Sequence, residues 1–422
     1  MKVVILGLGY VGFTSACCIA SEGHEVVGID VNARKVREIM AGTAPIVEPE
    51  VEALLQQALA EGRISADTVI GTHLDACDLV IVCVGTPSTA DGSHHMGFIA
   101  DVTHQIATAV RSSRQSPLPV VYRSTFRPGT IEELVWPIFG ATLGEDPQQR
   151  VEIIYNPEFL REGSAVRDYF SPPKIVTGTR DGAPSPVMEQ LNARIDARSF
   201  VVGYREAELT KFVDNSWHAA KVTFANEIGR ICMALSISAQ QVHEIFVSDT
   251  KLNISPRYMR PGGAFGGSCL PKDVRALQHI AAEAGVNLNM IGSLLRSNEM
   301  HKHRMFEYAV EGLEKGARVL LVGLAFKAET DDLRNSPNVD LARKLLAAGY
   351  RLEVYDPGID AAKLIGANLG YAYSQLPALE QLLVEKCQAE TVAYDRVIVS
   401  NAAAGALHLP PGCDIRNIGV LD

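Results

Sequence analysis

Gly7-Leu8-Gly9-Tyr10-Val11-Gly12 lies between an apolar run at residues 2–6 and a small-residue segment, 11–21, that can be helical. A lone G-x-G-x-x-G is a weak signal. Here it follows a strand and opens a helix, and the next strand, 25–30 (EVVGID), closes on Asp30, 23 residues after Gly7. That is the context a dinucleotide fingerprint requires. The first glycine permits the tight turn, the second lets backbone approach a pyrophosphate, and the third allows close helix–strand packing. The helix N-terminus attracts the negative charge. Asp30 can accept hydrogen bonds from a ribose hydroxyl and would repel a 2′-phosphate, which favours NAD over NADP. Arg34 and Lys35 lie close by and weaken that exclusion. The expected cofactor set here is Gly7, Gly9, Tyr10, Val11, Gly12, Asp30 and Lys35.

Outward from this turn, strands and helical patterns alternate. Runs at 78–84 (DLVIVCV), 119–123 (PVVYR) and 152–155 (EIIY) read as further strands. Strands separated by helices imply crossover units and a parallel sheet. Gly85-Thr86-Pro87 and Ser124-Thr125 follow two of these strands, where carboxyl ends line a ligand crevice. From 206 to about 235 the pattern becomes one long helix, with no proline and no glycine before Gly229. A glycine-rich loop follows at 261–267, then more helix through about 313. Near Arg318 strands return: RVLLVGL, RLEVYDP at 351–357 and YDRVIVSN at 394–401 echo KVVILGL, EVVGID and DLVIVCV. The echo is imperfect, because Leu324-Ala325-Phe326 follows Gly323 where the head carries its glycines. The expected fold is α/β: two Rossmann-like, doubly wound parallel-sheet domains joined by a helical central domain. The expected boundaries are 1–202, 203–314 and 315–422.

Composition narrows the class. The 422 residues carry 39 Lys+Arg against 49 Asp+Glu, a net charge of −10, which argues against nucleic acid or an acidic membrane as the main partner. Eight cysteines, at 17, 18, 77, 83, 232, 269, 387 and 413, show no C-x-x-C pair. A disulfide scaffold or zinc site is not expected, and a reducing cytoplasm is. Residues 3–20 could pass for a signal peptide, but the glycine spacing and the strand ending in Asp30 speak for a folded core. No other stretch approaches a membrane span. His94-His95 has no third ligand in spacing, so no metal is expected.

Two further segments carry chemistry. In the loop Arg260-Pro261-Gly262-Gly263-Ala264-Phe265-Gly266-Gly267-Ser268-Cys269-Leu270-Pro271-Lys272-Asp273, Pro271 suits the first turn of a helix. Cys269 would then sit at a helix N-terminus with Lys272 nearby, both of which favour thiolate. In the long helix, Lys211, Asn215, His218, Val222 and Asn226 share one face, flanked by Phe212, Val213, Trp217 and Phe224. A polar stripe with greasy flanks reads as buried beside a polar cavity, with a solvated stripe as the rival. Asn156-Pro157-Glu158-Phe159-Leu160-Arg161-Glu162 adds two carboxylates after a strand, plausible as base and binder.

GLGYVG, PIVEPEVEALL, VCVGTP, RSTFRPGT, NPEFLREGSA, GGSCLPKDVRAL and GLAFKAETDDLRNSP together resemble the UDP-glucose/GDP-mannose dehydrogenase family over nearly the full length. The resemblance implies oxidation of a sugar primary alcohol to a carboxylate, with two NAD and one cysteine. It implies Cys269 as the nucleophile that captures the aldehyde, Lys211 and Asn215 as holders of water and oxyanion, Asp273 as their partner carboxylate, and Glu158 as the base for thioester hydrolysis. Glu162 matches a substrate and cofactor contact, and Thr86, Thr125 and Lys272 match NAD contacts. Lys327 and Arg334 resemble residues reaching substrate and cofactor from the C-terminal domain. Trp217-His218-Ala219-Ala220-Lys221 and Met259-Arg260-Pro261 look like the GDP-mannose branch, which assigns nucleotide-sugar contacts to His218, Asn226, Tyr258 and Arg260. Arg257, Gly263 and Glu50 depart from that branch's pattern, Glu50 standing where a glycine follows EP. The resemblance also implies a homodimer or larger assembly through the long helix, and a role in bacterial acidic exopolysaccharides such as alginate. Competing readings are UDP-glucose or UDP-N-acetylhexosamine oxidation by the same route, a two-electron hydroxyacid dehydrogenase with no need of Cys269, and a silent NAD-binding regulator.

Overall fold

In the computed structural model the described residues are all but 88, 90–93, 111–113, 115, 145–146, 256–261, 268–269, 327–329, 421–422 and the side chain of 406. The chain divides into two compact units, Met1–His218 and Ala219–Asp422.

The first unit is built on β1 (Lys2–Leu6), β2 (Glu25–Ile29), β3 (Ile64–Asp67), β4 (Leu79–Val82), β5 (Leu118–Tyr122), β6 (Val151–Tyr155), β7 (Ile175–Thr179) and β8 (Ser199–Gly203). They form one sheet in the order β3-β2-β1-β4-β5-β6-β7-β8. The ladders are parallel through β6. The β6–β7 contact is antiparallel, through the pair Tyr155↔Gly178, and β8 runs parallel to β7. The sheet is therefore wider than the sequence suggests: β3, β7 and β8 are short and bear no glycine or proline signature as sharp as that of β1.

Helices cover both faces, which is why the central strands are apolar at consecutive positions. Val4, Leu6, Val80 and Val120 pack on one face with Ile99, Val102 and Ile106 of α4 (Gly97–Ala109). Val3, Ile5, Leu79 and Ile81 pack on the other, with Phe13, Ala16 and Ile19 of α1 (Tyr10–Ser21) and Val51 and Leu55 of α3 (Val51–Ala60). Between α1 and α3 lies α2 (Ala33–Met40). Residues 3–20, the stretch that resembles a signal sequence, make the central strand and most of its crossover helix. Strand order reverses between β1 and β4, so loops from both halves meet at the carboxyl edge there.

Next come α5 (Trp136–Leu143), α6 (Ala165–Phe170), α7 (Pro186–Leu191) and the long α8 (Tyr204–Ala234). The second unit contains α9 (Ala239–Ser248), α10 (Leu270–Glu283), α11 (Asn289–Val310) and α12 (Pro337–Ala347). Its parallel sheet has the order β10-β9-β11-β12, from β9 (Arg318–Val322), β10 (Arg351–Tyr355), β11 (Arg396–Val399) and β12 (Ile415–Asn417).

The head-to-tail echo reaches individual atoms. Gly7 (φ 94°) donates its N–H to Ile29 O at 2.8 Å, and Gly323 (φ 93°) donates to Tyr355 O at 2.9 Å. Asp30 accepts from Leu8 N, and Asp356 accepts from Leu324 N and Ala325 N. The repeat ends there, since the next helix after β9 begins only at Pro337. No helix among the described residues is long and apolar enough to cross a membrane.

Glu50, which the resemblance sets where a glycine was expected, takes a left-handed backbone conformation. Its φ is 69°, and its side chain makes no capping bond to α3. L-residues adopt this region at a cost of about 1–2 kcal/mol, part of which glycine's extra unfolded-state freedom would offset. Glu50→Gly is expected to raise the urea midpoint modestly, by the equivalent of roughly 1 kcal/mol or less. A lower midpoint would show that the Glu50 side chain holds the turn.

Candidate active site

Gly7 and Gly12 have no substitute at the fingerprint turn. A Cβ on Gly12 would lie 1.9 Å from Gly7 O, and one on Gly7 would come within 3.0 Å of the Cys83 carbonyl. A Cβ on Gly9 would meet nothing within 4 Å, so the space above the second glycine is open. Gly9 is also the N-cap of α1 and offers no side chain to the first-turn amides. An open cradle at a helix N-terminus fits a pyrophosphate.

Asp30, 8% exposed, borders this turn. Its carboxylate accepts from Leu8 N (2.9 Å), Asn32 N (3.0 Å) and Lys35 Nζ (2.6 Å). Burial alone would raise its pKa, but Lys35 and the two amides outweigh it and hold the carboxyl below its ordinary value. Arg34 is bonded to Glu38 at 2.7 Å. Both cations are thus paired with carboxylates, and the acid expected to meet a ribose stays ionised.

Across the switch point the Thr86 hydroxyl donates to Thr125 O at 2.6 Å, and the Ser124 hydroxyl donates to Val84 O at 2.6 Å. The two loops expected to contact cofactor are tied to each other. Beside them, Lys211 Nζ donates to both the carboxylate (2.9 Å) and the carbonyl (2.7 Å) of Glu158. Both side chains are 13% exposed, and the Lys211 ammonium lies 5.6 Å from the Phe159 ring centroid. Glu158 also receives Leu160 N at 2.7 Å. The structure therefore joins residues 53 apart in sequence that carry the candidate base and the candidate oxyanion donor.

Beyond Lys211 the stripe on α8 differs from expectation. Asn215, His218 and Asn226 are exposed, and Trp217 (47%), Val213 (55%) and Val222 (48%) are uncovered. The periodicity showed correctly what shares a face, but that face is exposed among the described residues. Glu162 is exposed. In the second unit Lys272 and Asp273 form a 3.4 Å ion pair in the first turn of α10, and Arg334 forks onto Asp332 at 2.9 Å. Cys269, Tyr258, Arg260 and Lys327 lie outside the described residues, as does Arg257.

Several structural acids and one base were not singled out from sequence. Buried Arg123 donates to Ser15 Oγ (3.1 Å) on α1 and to Asn156 Oδ1 (2.6 Å), which fastens the turn before Glu158 to the fingerprint helix. Glu208, fully buried on α8, accepts Ile131 N at 2.9 Å and Gly129 N. Glu227, 1% exposed, accepts Met290 N (2.9 Å) and Ile291 N (3.0 Å). Among the described residues no group of three or more His, Cys, Asp or Glu side chains could hold a metal ion, and His94 stacks on Phe212.

Three family profiles match the chain in order. Residues 1–196 match the UDP-glucose/GDP-mannose dehydrogenase family, NAD binding domain; 205–300 match its central domain; 320–399 match its UDP binding domain. The chain belongs to the UDP-glucose/GDP-mannose dehydrogenase family. It is an NAD-dependent dehydrogenase, and the fingerprint turn lies in the part that matches the NAD binding domain. It is 42% identical to a GDP-mannose 6-dehydrogenase of Pseudomonas putida, over 99% of this chain and 96% of that protein. A crystal structure of a ternary complex of GDP-mannose dehydrogenase from Pseudomonas aeruginosa superposes with a TM-score of 0.93 at 40% identity, covering 99% of this chain and 96% of that one. A UDP-glucose 6-dehydrogenase of Pseudomonas aeruginosa is 33% identical over 86% of this chain and 80% of that protein.

The sequence assigns the choice of NAD to Asp30, which the structure pairs with Lys35. Asp30→Ser removes the ribose acceptor and releases Lys35 toward a 2′-phosphate, so the ratio of kcat/KM for NADP to that for NAD is expected to rise at least about tenfold. An unchanged ratio would remove Asp30 from cofactor selection.

Proposed function

We propose that this dehydrogenase oxidises the primary alcohol of GDP-mannose to the carboxylate of GDP-mannuronate, through a thiohemiacetal and a thioester on Cys269. The observation that carries the reading is the Lys211–Glu158 pair at the carboxyl edge of the NAD-binding sheet. GDP-mannose is favoured over UDP-glucose because relatives named for it share more of the sequence over more of the chain.

NAD, held by the 7–12 turn and Asp30 with Thr86, Thr125, Lys272 and Arg334 as further contacts, supplies the hydride acceptor for each of two oxidations. After the first, the Cys269 sulfur adds to the aldehyde carbon, and the carbon–oxygen π pair moves onto oxygen. Lys211 and Asn215 stabilise that oxygen, with Asp273 completing the group. Covalent capture retains the aldehyde and makes its carbon tetrahedral, so the second oxidation leaves a thioester. The Glu158 carboxylate takes a proton from water, water oxygen adds to the thioester carbon, and sulfur departs as thiolate. The Lys211 bond to both the Glu158 side chain and its carbonyl fixes the base next to the oxyanion donor. Glu162, His218, Asn226, Tyr258, Arg260 and Lys327 hold the nucleotide sugar. The expected boundaries between NAD-binding, central and C-terminal domains, near 202 and 314, follow the same reading. A second copy of the chain covers the apolar flanks of α8, giving a homodimer or larger assembly in the cytoplasm.

Cys269→Ser is expected to abolish formation of the uronic acid while NAD binding is retained, measured by product chromatography and by titration with NAD. Acid production by this variant would eliminate the thioester route. Offered separately, GDP-mannose should be oxidised and UDP-glucose should be inert, and the reverse would move the substrate to the other branch. Val222→Glu places a charge on the uncovered flank of α8 and is expected to reduce the mass in light scattering to that of one chain. Retention of the assembly would put the interface elsewhere.

A further inference from the structure

Glu48 is 7% exposed and belongs to none of the site sets above. Its carboxylate accepts three donors from two distant segments: the Tyr10 hydroxyl, Gly163 N at 2.8 Å and Ala165 N at 2.8 Å. The Tyr10 hydroxyl also lies 3.4 Å from Arg161 O. A buried carboxylate is costly unless such donors surround it, and charge-assisted bonds of this kind are the strong ones. Burial and the neighbouring Glu48 carboxylate push the Tyr10 phenol above its ordinary value, so the tyrosine keeps its proton and donates it.

The two segments joined are the two halves of the candidate site. Tyr10 stands in the fingerprint, at the first position of α1, where a bound diphosphate would restrict it. Residues 161–165 flank Glu162 on both sides, and they end at α6. The same loop is held farther along by the fork of Arg161 on Asp168. Glu162 itself is exposed, so its direction is set by the backbone on either side.

We propose that Glu48 is a positioning residue that couples the cofactor turn to the loop presenting Glu162, so that a dinucleotide on the turn fixes the loop for the nucleotide sugar. This rests on the reading of Glu162 as a substrate contact. A carboxylate is needed because it alone can accept from the phenol and from two amides at once. Glutamine offers one acceptor and presents N–H groups to the remaining donors.

Hydrogen–deuterium exchange of the 160–167 segment, with and without NAD, reads this coupling without turnover. In the wild type NAD should slow exchange at Gly163 and Ala165. In Glu48→Gln exchange should be fast and insensitive to NAD. In Tyr10→Phe, which leaves the Glu48 bonds to both amides, basal exchange should stay near wild type while the NAD effect disappears. In kinetics, Glu48→Gln should raise KM for the nucleotide sugar about tenfold, and KM for NAD at saturating sugar should rise with it, because coupling between two sites is reciprocal. Equal slowing by NAD in all three proteins, or an unchanged KM for the nucleotide sugar in Glu48→Gln, would overturn the coupling. A wild-type enzyme inert toward GDP-mannose would overturn the substrate reading alone, because the exchange experiment needs only NAD.

Discussion

At the carboxyl edge of the first sheet, backbone amides with no strand or helix partner are held by buried carboxylates. Asp30 takes Leu8 N and Asn32 N, Glu48 takes Gly163 N and Ala165 N, and Glu208 takes Ile131 N and Gly129 N. Each bond satisfies a donor that would otherwise be stranded at the end of an element, and each fixes one loop relative to the sheet. The site exists because these loops are fixed. Lys211 can meet Glu158 only if the turn after β6 and the first turns of α8 are both held, by Arg123 through Asn156 at one end and by Glu208 at the other.

The second unit repeats the device without repeating the site. Asp356 takes Leu324 N and Ala325 N as Asp30 takes Leu8 N, and Gly323 turns as Gly7 does. Yet among the described residues the next helix begins only at Pro337, so none of them presents a helix N-terminus at that turn. At the second turn the Asn401 side chain stands where a Cβ on Gly323 would lie, whereas the space above Gly9 is open.

Much of this was legible in the sequence for physical reasons. The fingerprint glycines, Asp30 and the continuous apolar strands are local signals, readable within a few residues of one another. The shared face of Lys211, Asn215 and His218 follows from helical geometry alone. What escaped depends on contacts between segments far apart: Arg123 with Ser15, Glu48 with Gly163 and Glu208 with Ile131 leave no periodic trace. The exposure of α8 escaped for a different reason, since a pattern tells which residues face together but not whether the same chain covers them. Strands β7 and β8 carry polar residues and glycine among their apolar ones (IVTGT, SFVVG), so no continuous apolar run marked them as β1 was marked.

The fold thus brings an NAD cradle, a lysine–glutamate pair and tethered loops to one edge of the first sheet. With Cys269 as the proposed nucleophile, these parts would carry a four-electron oxidation that a simple alcohol dehydrogenase cannot perform. The count of NADH formed per GDP-mannose consumed, with NAD in excess, tests that claim most directly. Two NADH for each sugar, with the uronic acid as product, is the predicted result. One NADH for each sugar, with an aldehyde released, would contradict it.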